Sequence, residues 1–222
     1  MVLDFCMAFL DSSHFGAKMN KGDKLIKEER DKFFYQIAKD QKVFFEKKEI
    51  LDFGCGEGFV MDLFSKWGVN PNFLTGVDNS KERIALGKST FPEFNFVHVE
   101  NKLPFEENKF SLIIISTVLS SIINNKDREH WVSEIDRVLK LDGLIIFYDM
   151  KINNPFNPKI RKVAKNDLSS LFYNYKIKIN SLTVWPHFAR LVSIISSRFY
   201  PLLTKIKLLH THYIAELRKI RN

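Results

Sequence analysis

The stretch ILDFGCGEG, residues 50–58, sets one acid, Asp52, two positions before the first of three alternating glycines, Gly54, Gly56 and Gly58. With only 9 glycines in 222 residues, three within five positions mark a backbone that must turn tightly or be approached closely. A carboxylate beside such a turn is a poor neighbour for a diphosphate and a good one for a cation. The dinucleotide pattern G-x-G-x-x-G is not met either, because Phe59 stands where its third glycine would be. Twenty residues beyond Gly58, the stretch TGVDNS carries a second acid, Asp78. At a strand end its two oxygens can accept from the paired hydroxyls of a ribose. Asp78 could instead cap a following helix, but Ser80 can take that role and leave the acid to a ligand.

These residues need elements to hold them. Apolar positions at helical spacing predict a helix over Asp23–Lys42, a strand over Glu49–Phe53 and a helix over Phe59–Trp67. A strand over Phe73–Val77, a helix over Lys81–Lys88 and an alternating strand over Phe94–Val99 follow. FSLIIIS, Phe110–Ser116, and GLIIFY, Gly143–Tyr148, are near-continuous apolar runs that suit strands buried on both faces. Between them Trp131, Ile135, Val138 and Leu139 share one face of a helix over Arg128–Leu139. Beyond these come a strand over Tyr175–Val184, a helix over Pro186–Ser197 and a strand over Thr211–Leu217. The alternation predicts a Rossmann-like, doubly wound α/β fold: a mostly parallel seven-stranded sheet, helices on both faces and an antiparallel last strand. The glycines then sit at its first strand-to-helix turn, where such sheets bind ligands. A ligand with a cationic group and a ribose but no phosphate fits S-adenosyl-L-methionine on charge and on shape.

At this point the sequence resembles the class I S-adenosylmethionine-dependent methyltransferases. The likeness runs over about residues 45 to 150, through ILDFGCGEG, TGVDNS, LPFEENKF and LKLDGLIIFYD. TVLSSI, YDMKINNPFNPKIR and THYIAELRKI extend it toward small bacterial members associated with glycan and cell-envelope biosynthesis. The resemblance implies that Asp52, Gly54, Cys55, Gly56 and Gly58 line the methionine end of the cofactor and that Asp78 holds its ribose. Asn79 would flank the adenine, with Glu100 or Asn101 as the adenine-contacting group and Ser116 at the end of the fourth strand.

For the acceptor, Asp149 at the end of the GLIIFYD strand is the best-placed carboxylate for a general base, and capping of the following loop is its equal alternative. Asn153, Asn154 and Arg161, in and after the Asn-Pro loop, are expected polar contacts of an acceptor. That loop follows the fifth strand, so it is not evidence for methylation of DNA. His187, His210 and His212 enter only if the C-terminal elements fold back over the site, and two histidines without a third ligand imply no metal.

Composition bounds the partners. Cys6 and Cys55 give neither a disulfide framework nor a metal quartet. The opening MVLDFCMAFL is interrupted by Asp4 and makes a poor signal peptide, and no apolar run is long enough to span a membrane, so a cytoplasmic protein is expected. From Lys151 onward fourteen Lys and Arg face only Asp167 and Glu216, a balance of +12 in a chain of net charge +8, leaving −4 for the first 150 residues. A basic end implies an anionic partner. The expected organisation is one domain over 1–222: a helical extension (1–48), a cofactor-binding core (49–150) and basic substrate-side elements (151–222). The leading expectation is methyl transfer to a small-molecule or glycan acceptor. The alternatives are an RNA methyltransferase gripping phosphates through its basic end, and an inactive cofactor-binding partner protein. The apolar run around Arg190 and Arg198 also suits peripheral contact with an anionic membrane surface.

Overall fold

The computed structural model describes residues 20–42, 47–154, 157–195 and 200–220. Cys6, Arg198 and the opening apolar run lie outside the described residues.

A long helix, α1 (Lys21–Asp40), precedes the sheet; Asn20 caps it, its side chain accepting from the Asp23 N–H. Then come β1 (Ile50–Phe53), α2 (Phe59–Lys66), β2 (Leu74–Asp78), α3 (Lys81–Thr90), β3 (Asn95–His98) and β4 (Phe110–Ser116). The second half runs α4 (Asn125–Val138), β5 (Leu139–Met150), α5 (Lys165–Leu171), β6 (Tyr175–Val184), α6 (Pro186–Ile195), α7 (Tyr200–Leu203) and β7 (His210–Lys219). The seven strands lie in the order β3-β2-β1-β4-β5-β7-β6, and β7 alone runs antiparallel to its neighbours. This is the mostly parallel doubly wound sheet that the sequence predicts. The chain steps outward from β1 to β3, then returns to pair β4 against the other side of β1. The resulting switch point opens a crevice beyond the carboxyl ends of β1 and β4.

Most boundaries fall within three residues of those expected, and the differences have local causes. Helix α4 starts at Asn125 because the Asn124 side chain accepts from the Lys126 N–H and caps it there. Strand β5 begins four residues early, since an irregularity in the pairing lets Leu139 face Phe110. Helix α5 carries too few apolar residues over seven positions to show a period.

Each face of the sheet is covered. On one, Phe34, Met61, Phe64 and Ile84 from α1, α2 and α3 pack on Ile50, Leu112, Ile114 and Ile146. On the other, Trp131, Ile135, Val138 and Leu168 cover Leu51, Phe53, Ile113, Ile115 and Ile145. Burying a side chain of this size contributes about 1.5–3 kcal/mol. A smaller third cluster, Ile26, Val184, Ala189 and Tyr200, joins α1 to α6 and α7. There Gly22 lies so close to α6 that a β-carbon would stand 2.6 Å from the Arg190 Cα. Arg190 also holds Asp23 through Nε and Nη2 at 2.9 and 3.1 Å, and the Tyr200 hydroxyl donates to Glu29. Residues 185–195 and 200–209 thus cap the sheet at its carboxyl edge. Among the described residues no helix is long and apolar enough to cross a membrane.

Candidate functional site

The glycine turn is held by its neighbours' backbones. Gly54 and Cys55 both donate to the Val77 carbonyl, at 2.8 and 2.9 Å. Gly54, Gly56 and Gly58 all have positive φ, and a β-carbon on Gly54 would sit 2.4 Å from Val118 Cγ2. Asp78 completes the turn: its Oδ2 accepts from the Gly56 N–H and its Oδ1 from the Ser80 N–H, both at 2.9 Å. Ser80 does cap α3, accepting from the Arg83 N–H, but this does not leave Asp78 without a partner. β1 and β2 are adjacent and parallel, so the turn leaving one necessarily meets the carboxylate ending the other. Each oxygen keeps a second acceptor site, which remains compatible with a ribose diol.

Asp52 sits beneath the turn, 2% exposed, and its Oδ2 has no hydrogen-bond partner. Burial pushes its carboxyl up to about 7; the charge of Asp78 adds to this and the Arg30 guanidinium opposes it. A buried carboxylate lacking a donor is expensive to keep. It calls for a donor supplied from outside the chain. Arg30 comes from α1, where it pairs with Asp31 and lies over the Phe34 ring. No local signal in the sequence marked it, because only the packing of α1 on the sheet brings it near Asp52.

Above the turn opens a narrow cleft. Phe53, Val77, Val99, Ile122 and Trp131 make it largely apolar, and Arg83, Thr117 and Ser121 join the polar lining. Ser121 Oγ is a second buried atom without a partner. Thr117 has φ +57 and donates its N–H to the Tyr148 carbonyl, which bends the chain out of β4 and sets Val118 against Gly54.

Of the residues singled out from the sequence, Gly54, Asp78, Asn79 and Ser116 line this cleft, and Asp52, Cys55, Gly56 and Gly58 form the turn under it. Burial, then the charges of Asp52 and Asp78, hold the Cys55 thiol in its protonated form. Glu100 and Asn101 stand apart from the lining: Glu100 is exposed and faces Lys81 at 3.6 Å, and the Asn101 carbonyl meets His130. Asp149 is fully buried at the end of β5 and is not among the cleft's lining residues, its Oδ2 accepting from the Ser120 N–H at 3.1 Å and its Oδ1 from the Met150 N–H. Desolvation raises it to about 6 against these hydrogen bonds and the nearby Arg128. It ties the 119–121 turn to the sheet. Asn153 accepts from the Lys162 N–H, and Arg161 reaches Asn125 at 2.8 Å, so these two brace the loop outside the cleft, with Asn154 beside them. His212 stacks on Tyr148 at 5.1 Å, and burial lowers it to about 3, leaving a neutral ring; His210 meets the Thr204 carbonyl.

Residues 50–143 match the family described as Methyltransferase domain, the span that carries the glycine turn, Asp78 and most of the cleft. That span is therefore similar to the methyltransferase family, and the sheet order is that of a Rossmann-like fold. Among characterised proteins, the chain is 30% identical over 119 residues to "Arginine-hydroxylase NDUFAF5, mitochondrial" of Mus musculus, covering 50% of this chain and 30% of that protein. It is 27% identical over 154 residues to the demethylmenaquinone methyltransferase of Staphylococcus haemolyticus, covering 67% of this chain and 62% of that one. The chain therefore spans less than two thirds of the length of either relative. Among solved structures, the [4+2]-cyclase SpnF superposes with a TM-score of 0.62 at 16% identity, over 86% of this chain and 82% of that one, a likeness of fold.

Proposed function

We propose that the chain is an S-adenosyl-L-methionine-dependent methyltransferase acting on a small-molecule or glycan acceptor. The observation that carries this reading is the buried Asp52 carboxylate, one oxygen unpartnered, under a turn of three glycines. An α-ammonium group supplies the donor that Asp52 lacks, and the apolar cleft on the other side of the turn suits a flat heteroaromatic base. Asp78 retains acceptor capacity for a ribose diol between them. A phosphate-bearing dinucleotide would place its charge beside two carboxylates.

When bound, the cofactor presents an electrophilic methyl group on a sulfonium. The chain's own contribution is orientation and exclusion of water, which can supply much of the rate of an in-line displacement. Asp52 fixes the ammonium end, Asp78 fixes the middle, and the Gly54–Val118 contact keeps the backbone close. The cap of α6 and α7, joined to α1, bounds the space on the acceptor's side. Within this reading the acceptor is a sugar carried on an anionic group, supported by the net positive charge after Lys151. The test is calorimetry with S-adenosyl-L-methionine, its demethylated product and NAD, followed by a methyl-transfer screen over sugars, nucleotide sugars and RNA. Binding of the first two without NAD is expected. NAD binding with no response to S-adenosyl-L-methionine would overturn the proposal.

A further inference from the structure

We propose that the outer face of the cap, residues 185–194 and 202–208, docks on an anionic lipid bilayer.

Helix α6 is mounted inside out. An amphipathic helix of a globular protein turns its apolar stripe to the core. Here Ala189, Arg190 and Ser193 face α1, with Arg190 drawn inward onto Asp23. Phe188, Leu191 and Ile194 face outward, 41, 56 and 81% exposed, beside a half-exposed Trp185. The segment that follows repeats the pattern: Leu202, Ile206 and Leu208 are exposed, the last to 93%. Single exposed apolar residues need no explanation, but a contiguous set does.

Charge selects the occupant. No Asp or Glu occurs between residues 168 and 215, and the exposed Lys205 and Lys207 alternate with Ile206 and Leu208. Apolar side chains flanked by lysines, with no acid among them, suit the headgroup region of an anionic bilayer, where large apolar groups insert and cations stay at the phosphates. Arg190, which the sequence placed among the membrane-facing cations, is committed to Asp23 instead, so the two lysines take that part. An RNA site would expose cations over stacking rings, not aliphatic residues at this density.

Topology gives the contact a use. Strand β6 runs parallel to β5, so Val184 ends it at the carboxyl edge of the sheet, and β7 starts from that edge at His210. The segment that carries the docking face therefore leaves the sheet at the same carboxyl edge from which the cleft opens. A bilayer held there would offer the site an acceptor anchored in lipid.

The test uses the full chain and vesicles of equal parts phosphatidylcholine and phosphatidylglycerol, with pure phosphatidylcholine as control. Co-sedimentation with the anionic vesicles is expected, and at least tenfold less with the control, since each lysine near such a surface is worth about fivefold in partitioning. The pair Ile194→Asp and Leu208→Asp alters only exposed positions and should abolish sedimentation, with thermal unfolding and calorimetric cofactor affinity unchanged. Brominated lipid should quench tryptophan fluorescence in the parent and much less in Trp185→Phe. Three results would each overturn the proposal: no vesicle association, association untouched by the double variant, or tight RNA binding in its place. A stable dimer that the double variant disperses would also overturn it, by assigning the face to a second copy of the chain.

Discussion

Asp52→Asn tests the site at the atom on which the functional reading rests. In the ligand-free protein burial holds the Asp52 carboxyl at about 7, so the group is mostly protonated below that pH. An ammonium ligand needs the carboxylate, and binding must therefore expel a proton wherever Asp52 still carries one. Below pH 8, affinity for S-adenosyl-L-methionine should fall about twofold by pH 7 and about tenfold by pH 6, following the protonated fraction of Asp52. Calorimetry at pH 7 in buffers of different ionisation enthalpy should register release of about half a proton from Asp52. In the Asn variant both effects should vanish. Affinity at pH 8 should fall by about 1.5–3 kcal/mol, the worth of a hydrogen bond to a charged group. Equal pH profiles in parent and variant would refute the argument, because they would mean that the ligand's cation lies elsewhere.

Four further outcomes follow from the geometry. Asp78→Ala should weaken cofactor binding and also lower the melting temperature, because it strips acceptors from the N–H groups of Gly56 and Ser80, each worth about 1–3 kcal/mol when left buried and unpaired; a loss of affinity alone would show the turn to be held some other way. Gly54→Ala meets Val118 with φ +74 and should cost about 1–3 kcal/mol of stability together with cofactor binding, checked by denaturant unfolding. Both Asp52 and Asp149 are raised above their ordinary range, so the folded state binds more protons than the unfolded chain between about pH 4 and 7, and stability should decline as pH rises through that window. Asp149→Asn should remove its own share of the decline between about pH 4 and 6, about 3 kcal/mol, and leave that of Asp52. Arg190→Ala should leave the main unfolding transition in place while making residues 186–195 and 200–209 more open to proteolysis, since it releases Asp23.

Local motifs made the glycine turn and its two acids readable. Asp52, the three glycines and Asp78 are tied to strand ends, and the strands expected over Phe110–Ser116 and Tyr175–Val184 match β4 and β6 residue for residue. What escaped was set by tertiary packing. Arg30 acts on Asp52 through its charge only because α1 folds over the sheet. Val118 and Ser121 enter the cleft through the bend at Thr117, where a threonine takes a φ that its sequence does not advertise. The orientation of α6 was equally hidden: periodicity shows that a helix has two faces, and it does not say which one meets the protein. Asp78 was read for a ligand because Ser80 was the evident cap, yet the turn used the same carboxylate first.

The Asp23–Arg190 pair joins residues 167 positions apart, and Glu29 meets Tyr200 across a similar interval. The first described helix and the last quarter of the sequence thus complete one another. As the chain emerges during synthesis, the cluster around Ile26 on α1 is incomplete until Val184, Ala189 and Tyr200 arrive, long after β1 to β5 can pair. Such distant contacts form late, because the loop they close must be ordered first. The cap is therefore a report of completeness: a chain stopped before Tyr200 can assemble the glycine turn, yet leaves the leading helix half uncovered and open to proteases.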